Sequence, residues 1–145
     1  MKALIPVLLA LVAFDSGMST PFMDCGSKAG KVESVDIATP GGRQGFLVRG
    51  EKATLTVVFT SYSQSKTAVG ILKGNVSVWV LFTLPNPDAC TQGVTCPMSK
   101  GTRYTFKTSV NIYQEYPPIR VEFQLQLKDD NYKDIICVRF PSEIM

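Results

Sequence analysis

The sequence predicts an all-β fold, an antiparallel β-sandwich of about seven or eight short strands. Residues 119–128 alternate strictly between apolar and polar side chains, as in a strand with one dry face and one wet face. Clusters of proline, glycine, asparagine and aspartate separate the apolar segments. No segment long enough for a stable helix carries a helical apolar period.

The strand signals follow one another along the chain with turn chemistry between them. Turns are predicted at residues 39–42, 73–75, 85–97 and 129–131, and Pro117-Pro118 precedes a strand because proline cannot donate to a ladder. The predicted strands contain residues 35–37, 54–60, 76–84, 104–112, 119–128 and 136–140. Repeats, low-complexity tracts and linkers are absent from the sequence.

Residues 76–84 depart from the wet and dry alternation. Their odd-face residues Val76, Val78, Val80, Phe82 and Leu84 are apolar, and Trp79 and Leu81 make the opposite face apolar too. Such a strand is either a central core strand covered on both faces or a strand beside something apolar that is not protein. The second alternative would place it at the wall or lip of a lipid-binding cavity.

The N-terminus has the anatomy of a secretory signal peptide, which we assign to residues 1–19. A short basic start precedes an apolar stretch that is too short to cross a bilayer. Gly17 and Ser19 are small and fit a cleavage site after Ser19. A buried N-terminal helix or strand is the alternative. Residues 20–145 are then expected to form one domain in an oxidising compartment, secreted or in the lysosomal lumen.

Four cysteines, at positions 25, 90, 96 and 137, allow three disulfide connectivities. Pairing Cys90 with Cys96 and Cys25 with Cys137 needs the least contortion, because one pair closes a local turn and the other joins the chain ends. In the chain-entropy model, the short loop contributes about 2–3 kcal/mol and the long loop nearly 5 kcal/mol. The alternatives are free cysteines or a metal site, and the spacing does not favour a metal.

The residue inventory argues against catalysis and against nucleic-acid binding. The chain has no histidine, which removes the commonest general base and the Ser-His-Asp and Cys-His arrangements. Its carboxylates lie mostly at turns and on wet strand faces, and its net charge of +3 comes from scattered basic residues. We therefore predict no enzyme activity, no cofactor and no metal site.

Asn75-Val76-Ser77 is a sequon, which predicts glycosylation of Asn75 in a secreted chain.

Several short motifs, taken in order, carry a family resemblance. They are Asp24-Cys25-Gly26-Ser27, Phe59-Thr60-Ser61 followed by Gln64-Ser65-Lys66, Gly70-Ile71-Leu72, Pro85-x-Pro87-Asp88-x-Cys90 with Cys96-Pro97, Glu115-Tyr116-Pro117, Gln124-Leu125-Gln126, Asp129-Asp130 and Cys137. In this order and spacing the chain resembles the ML family of lipid-recognition proteins. Within that family it is most similar to the Niemann–Pick type C intralumenal sterol-transfer proteins.

The resemblance implies an immunoglobulin-like two-sheet sandwich that binds one lipid between its sheets, without catalysis. The family's pocket aromatic, aliphatic residue and tyrosine fall on Phe82, Ile112 and Tyr116. With three residues on the dry faces of their strands, namely Phe59, Phe106 and Leu125, they form our candidate lipid-binding set. The resemblance also implies that Cys25 pairs with Cys137 and Cys90 with Cys96.

The resemblance implies partners as well as a cargo. They are a sterol or another hydrophobic lipid and, transiently, a membrane surface or a membrane-protein acceptor, and the carrier is expected to be a monomer.

Two departures from the family pattern stand out. Residues 38–46 lack the cysteines of a third disulfide, so we expect a looser edge there, and residues 74–82 run about three residues longer and add Trp79. The competing functions are a lipid-dependent recognition module, as in immunity or chemosensing, a fatty-acid carrier, and a structural domain with a filled core.

Overall fold

A computed structural model of the protein describes residues 20–145, so the predicted signal peptide lies outside the described part of the chain. Those residues form nine strands, two of them only two residues long. The strands are β1 (Met23–Asp24), β2 (Gly30–Ala38), β3 (Phe46–Leu47), β4 (Lys52–Ser61), β5 (Val69–Asn75), β6 (Trp79–Phe82), β7 (Thr102–Asn111), β8 (Arg120–Lys128) and β9 (Asp134–Ile144).

The strands form two sheets that face each other across one apolar core, which confirms the predicted all-β sandwich. The larger sheet has the order β1-β9-β8-β5-β6, with β3 added parallel to the end of β9. The smaller sheet has the order β2-β4-β7 and is antiparallel throughout. In the described residues the only helical segment is a single 3-10 turn at Ala89–Thr91.

The strand with the strictest alternation forms as predicted. Val121, Phe123, Leu125 and Leu127 of β8 are buried, and the residues between them face outward. The polar side chains stay in contact with water. Burial of the apolar face stabilises the fold by about 25 cal/mol for each Å² of apolar surface removed from water. The strand begins at Arg120, one residue later than the sequence pattern indicated.

The turn predicted at residues 73–75 is wrong. These residues are the end of β5, and the hairpin turn that follows consists of Val76–Val78. Asn75 Oδ1 accepts a hydrogen bond from the Ser77 amide at 3.1 Å, and Ser77 takes a φ of 88°. The turn therefore depends on an asparagine side chain rather than on a glycine in the left-handed region. The strand predicted over residues 76–84 is correspondingly limited to β6.

One side of the sandwich is closed by backbone hydrogen bonds between the sheets. The Thr20 amide donates to Val35 O of β2 at 3.0 Å, and the chain then crosses to pair as β1 with β9. Gly45 makes a second bridge: its amide donates to Ile37 O at 2.9 Å, and its carbonyl accepts from Glu143 N at 2.8 Å. We call this side, where β2 and β9 meet, the closed edge.

The two disulfides reinforce the fold at separate places. Cys25 is bonded to Cys137 of β9, and Cys90 is bonded to Cys96, which is the pairing that the family resemblance implies. The first disulfide lies at the closed edge and spans 112 positions of sequence. The second ties a loop that follows β6.

The opposite side of the sandwich, between β6 and β7, is not closed by strand pairing. The loop at residues 85–97 covers one end of it, where Pro87 O accepts from Gly70 N and Gln92 O accepts from Lys107 N. Beyond that loop, no backbone hydrogen bond joins β6 to β7 in the described residues. We call this side the open edge.

The loop that lacks the family's third disulfide is held by side chains instead. Glu51 Oε1 accepts from the Gly41 amide at 2.8 Å, and Thr39 Oγ1 accepts from the Val48 amide at 3.0 Å. Thr39 is itself buried. These hydrogen bonds fix the loop on the segment between β3 and β4, so the missing cysteines do not leave it without anchors.

The turn at residues 24–27, which contains Cys25, makes the stability of the fold depend on pH. The Asp24 carboxylate accepts from the Gly26 and Ser27 amides and from the Ser27 hydroxyl. Burial alone would raise the pKa of this carboxyl, but the Ser27 and Gly26 hydrogen bonds outweigh it and the pKa lies below the usual 3.8. Because the folded pKa is lowered, the stabilisation is present above the unfolded pKa and is lost as pH falls through the folded value.

We therefore expect Asp24→Asn to lower the free energy of unfolding by about 0.5–1 kcal/mol at pH 5–7. The difference from the wild type should shrink as the pH falls below the usual carboxyl pKa of 3.8 and vanish only below the lowered pKa of folded Asp24. Urea unfolding at several pH values measures it, and Asp36→Asn, at an exposed position of β2, is the control. A difference that persists unchanged at low pH would show that the charge of Asp24 is not responsible.

Candidate functional site

A row of aromatic side chains runs from the surface into the core at the open edge. The ring centroids of Tyr113 and Tyr116 are 5.5 Å apart, and those of Tyr116 and Phe82 are 5.6 Å apart. Phe82 then contacts Phe123 at 5.0 Å, and Phe123 lies 5.7 Å from Phe140 of β9. The first three contacts are edge-on, the geometry that aromatic pairs prefer. We call these five residues the aromatic row.

Exposure falls along this row from Tyr113, which is exposed, through half-buried Tyr116 to Phe123 and Phe140, which are fully covered. Phe82, at the end of β6, is 8% exposed. An apolar path thus leads from solvent to the space between the sheets. The row spans the open edge because Tyr113 and Tyr116 follow β7 whereas Phe82 belongs to β6.

The backbone around Tyr116 is fixed by two neighbours. Its amide donates to Tyr113 O at 3.1 Å, and Arg49 donates to its carbonyl at 3.4 Å while also bonding Met145 O at 2.9 Å. Burial raises the pKa of the Tyr116 phenol above 10.0, and Tyr113 and Glu115 add to that effect. The hydroxyl therefore stays protonated at any physiological pH and can donate a hydrogen bond at the mouth of the site.

Gly74 makes room for Phe82. It faces the core from β5, and a Cβ built there would lie 2.5 Å from Phe82 Cε1 and 2.8 Å from Val121 Cγ1. Both distances are shorter than carbon atoms tolerate, so any side chain at this position would displace the ring. The position of Phe82 thus depends on the absence of a side chain on the neighbouring strand.

The six candidate lipid-binding residues fall into two groups. Phe82 and Tyr116 are in ring contact at the open edge, and Ile112 directly follows β7 and is buried. The other three lie deeper and are fully covered, on β4, β7 and β8: Phe59, Phe106 and Leu125. Contact between these residues and a lipid stays a prediction.

The sequence reasoning missed Gly74, Tyr113, Phe123 and Phe140 as parts of this site. Phe123 and Phe140 carried a usable signal, since both sit on the dry faces of their strands. Gly74 was assigned to a turn, although a glycine inside a strand often marks a place where another group approaches closely. Tyr113 gave no signal beyond its position shortly after an apolar strand.

The hairpin that ends in β6 exposes an apolar surface beside the aromatic row. Val78 and Leu81 are about two-thirds exposed, at 64% and 66%. Trp79 is 40% exposed and lies on the outer face of the sheet, where the Arg139 guanidinium is 5.1 Å from its ring centroid. We call residues 78–81 the apolar hairpin. Its exposure excludes the alternative that this segment is a central core strand.

Two other features border the site. Asn75, at the end of β5, is half-buried and adjoins Trp79 in the ladder, and its glycosylation stays a prediction. A groove of about 470 Å³ lies near the closed edge, and neither Phe82 nor Tyr116 lines it. It is lined by Thr20, Pro21, Gln44, Gly45, Phe46, Arg120, Val121, Glu122, Pro141, Ser142 and Glu143.

The titratable groups are arranged as surface charge. The ion pairs Arg103–Glu33 and Arg120–Glu143 are solvated, and Lys128–Asp134 is more enclosed at 2.8 Å. Within residues 20–145, no group of three or more acidic or cysteine side chains is placed to hold a metal ion. None of the helical segments in that range has the length and apolar character needed to span a membrane.

Comparison with known proteins identifies the family. The model of the ML domain matches residues 19–144. The chain belongs to the ML family. This confirms the resemblance read from the sequence motifs, and it places nearly the whole described chain in one ML domain.

Curated ML-family relatives match over almost their full length. A zebrafish (Danio rerio) protein named NPC intracellular cholesterol transporter 2 is 35% identical over 140 residues, which cover 96% of this chain and 94% of the relative. A Drosophila melanogaster protein named NPC intracellular cholesterol transporter 2 homolog a is 31% identical, with 93% of each chain covered. These relatives are named as transporters rather than as enzymes.

A solved ML structure has the same architecture. The Niemann-Pick type C2 protein of the Japanese carpenter ant superposes with a TM-score of 0.75 at 26% identity. The match covers 86% of this chain and 99% of that one. The two-sheet arrangement described above is therefore the arrangement of a known member of the family.

The close approach at Gly74 yields a test of the site. We expect Gly74→Ala to displace the Phe82 ring and to lower the free energy of unfolding by about 1–3 kcal/mol, as overpacking does. Thermal unfolding measures this change, and Lys73→Ala on the outer face of the same strand is the control. Equal stability of both variants and the wild type would show that Phe82 moves freely and that Gly74 does not position it.

Proposed function

We propose that this protein binds one lipid between its two sheets, close to the aromatic row, and transfers it to an acceptor. The observation that carries the proposal is the open edge, where an apolar path leads into the core between two strands that share no hydrogen bonds. Membership of the ML family and the transporter names of its relatives support it. A sterol is the first candidate cargo because those names specify cholesterol.

The open edge provides a way in that leaves the fold intact. Parting β6 from β7 breaks no strand ladder, and the closed edge holds the sheets together meanwhile. The groups that must move are side chains, chiefly Phe82 and Tyr116, whose edge-on contact spans the gap. Side-chain rearrangements of this kind are far cheaper than breaking a row of buried backbone hydrogen bonds.

The energetics suit a carrier. A lipid that buries roughly 400–500 Å² of apolar surface gains about 10–12 kcal/mol at about 25 cal/mol per Å². Immobilisation of the ligand and desolvation of its polar end remove much of that gain. A dissociation constant in the micromolar range or somewhat tighter follows, and it permits both capture and release.

The apolar hairpin is the surface we assign to the acceptor. Residues 78–81 expose apolar side chains next to the mouth of the site, where a membrane or membrane protein would cover them. Covering this surface would also remove water from the path that the lipid takes. The acceptor contact is transient, and the carrier acts as a monomer without catalysis or cofactor.

The two disulfides support a location outside the reducing compartments of the cell. Cys25–Cys137 and Cys90–Cys96 leave no free cysteine in the described residues. Such bonds persist in secreted proteins and in oxidising lumens. We therefore place the protein in the extracellular space or in the lysosomal lumen, after removal of residues 1–19.

Binding at the aromatic row is tested by truncating the two rings that span the open edge. We expect Tyr116→Ala and Phe82→Ala each to weaken binding of a fluorescent sterol about tenfold or more, because a ring contact contributes more than 1 kcal/mol in an apolar site. Tyr62→Ala, which removes an exposed tyrosine elsewhere, is the matched control. Native mass spectrometry of the delipidated and reloaded proteins counts the bound lipid. Unchanged binding in both ring variants would exclude the aromatic row as the site.

The second candidate function is a recognition module that keeps its lipid, including a fatty-acid carrier without vesicle transfer. The exposed apolar hairpin favours it as much as it favours transfer, because a receptor could cover the same surface. Transfer of a labelled lipid between vesicles separates the two functions. A shuttle delivers the lipid to acceptor vesicles, whereas a recognition module retains it.

Delivery should depend on the apolar hairpin more than binding does. We expect Leu81→Glu to slow transfer between vesicles several-fold, because a charge at this position must be desolvated when the hairpin meets an apolar surface. Equilibrium binding of the lipid should stay close to that of the wild type. Met23→Glu introduces the same charge at an equally exposed residue of the closed edge and should leave transfer unchanged. Equal transfer rates for both variants would assign delivery to another surface.

A further inference from the structure

Two buried hydroxyl groups in the core have no hydrogen-bond partner. The described residues bury six polar side chains, and four of them are bonded. Thr39, Ser61 and Ser65 bond to nearby backbone groups, and Thr20 accepts from Gln44. The exceptions are the hydroxyls of Thr108 and Ser142. Buried side-chain hydroxyls in folded proteins are bonded in the great majority of cases, so two orphans in one core require an explanation.

The two hydroxyls belong to opposite walls of the same space. Thr108 lies between Phe106 and Val110 on the inward face of β7, in the smaller sheet. Ser142 lies between Phe140 and Ile144 on the inward face of β9, in the larger sheet. Both residues therefore point at the volume between the sheets. Ser142 also borders the groove of about 470 Å³, but its hydroxyl oxygen is covered and is not solvated there.

Both positions connect to the aromatic row. Ser142 is directly opposite Val121 in the ladder of β8 and β9, and Val121 is one of the two side chains that close over Gly74 beside Phe82. Thr108 belongs to β7, the strand that forms one lip of the open edge. The two hydroxyls therefore belong to the two sheets between which we propose that the lipid binds.

We propose that Thr108 and Ser142 are specificity-determining residues of the lipid site, and that the lipid they select carries an oxygen on the part buried between the sheets. The inference rests on the proposed lipid-binding function. A hydroxyl donates one hydrogen bond and accepts others, so it pairs equally well with a ligand hydroxyl or a ligand ketone. A lipid that buries only hydrocarbon leaves both protein hydroxyls orphaned, whereas an oxygenated one satisfies at least one of them. A binding site with a buried polar group discriminates strongly against ligand analogues that lack the group with which it forms a hydrogen bond.

The ligand test uses matched pairs of lipids on the full mature protein. Cholesterol is compared with its side-chain-hydroxylated and ring-ketone derivatives, and stearic acid with a mid-chain hydroxystearic acid, each by competition with a fluorescent sterol. We expect at least one oxygenated member to bind about tenfold more tightly than its parent, the effect of one net hydrogen bond. Thr108→Val or Ser142→Ala should abolish that preference, so that the parent and the oxygenated lipid bind equally well to the variant. Thr105→Val, on the outward face of β7, is the matched control.

A second measurement needs no ligand. In the delipidated protein, Thr108→Val replaces an orphan hydroxyl with a methyl group of similar shape, so the melting temperature should rise by a few degrees. Thr105→Val should leave it nearly unchanged. A fall in the melting temperature of Thr108→Val would show that the hydroxyl is bonded in the free protein, and this would overturn its assignment to the ligand.

The outcomes separate this inference from the function on which it rests. If the protein binds parent and oxygenated lipids equally, and both variants do the same, the selectivity proposal is wrong while lipid binding stands. If no lipid of either kind binds to the delipidated protein, the proposed function itself fails, and the selectivity proposal fails with it. A preference for oxygenated lipids that survives in both variants assigns selectivity to other residues and also overturns the proposal.

Discussion

The arrangement depends on a difference between the two edges of the sandwich. At the closed edge, backbone hydrogen bonds from Thr20 and Gly45 join the sheets, and Cys25–Cys137 lies on the same side. At the open edge, β6 and β7 have no bonds to each other, and aromatic side chains fill the gap. Backbone bonds are directional and costly to leave unmade, whereas ring contacts are weak and can re-form elsewhere. Parting of the sheets would therefore break the fewest backbone hydrogen bonds at the open edge, which carries the apolar hairpin and the aromatic row.

Most of the fold could be predicted from the sequence because a strand that is buried on one face alternates between apolar and polar residues. β8 shows this well, since every second residue from Val121 to Leu127 is buried. The hairpin before β6 was harder to predict. The sequence signal for a turn was Gly74, but that glycine serves packing, and the turn lies further on, where the Asn75 side chain supports a positive φ at Ser77. A side-chain hydrogen bond of this kind leaves no pattern of hydrophobicity, so the position of the turn had to come from the structure.

The candidate site was predictable in part. The family resemblance pointed to Phe82, Ile112 and Tyr116, and in the structure the rings of Phe82 and Tyr116 are in contact at the open edge. The two hydroxyls could not have been found in the sequence, because a serine or threonine on the dry face of a strand is usually bonded locally. Whether Thr108 and Ser142 are bonded depends on the rotamers and on the neighbours across two sheets. The sequence therefore defines the walls of the site, and only the tertiary structure defines its polarity.

The short length of β6 has a consequence for how the protein behaves in concentrated solution. An edge strand presents unpaired amides and carbonyls to other molecules, and exposed apolar side chains on it increase the tendency to aggregate. Here the strand has only four residues and is followed by Pro85 and Pro87, so few consecutive pairs could form with a second copy. Self-association through a continuous intermolecular sheet is thereby restricted, although the same strand carries the exposed side chains of the apolar hairpin. A carrier can leave such a surface exposed while no acceptor is bound, because its edge strand is too short to pair with a strand of a second copy.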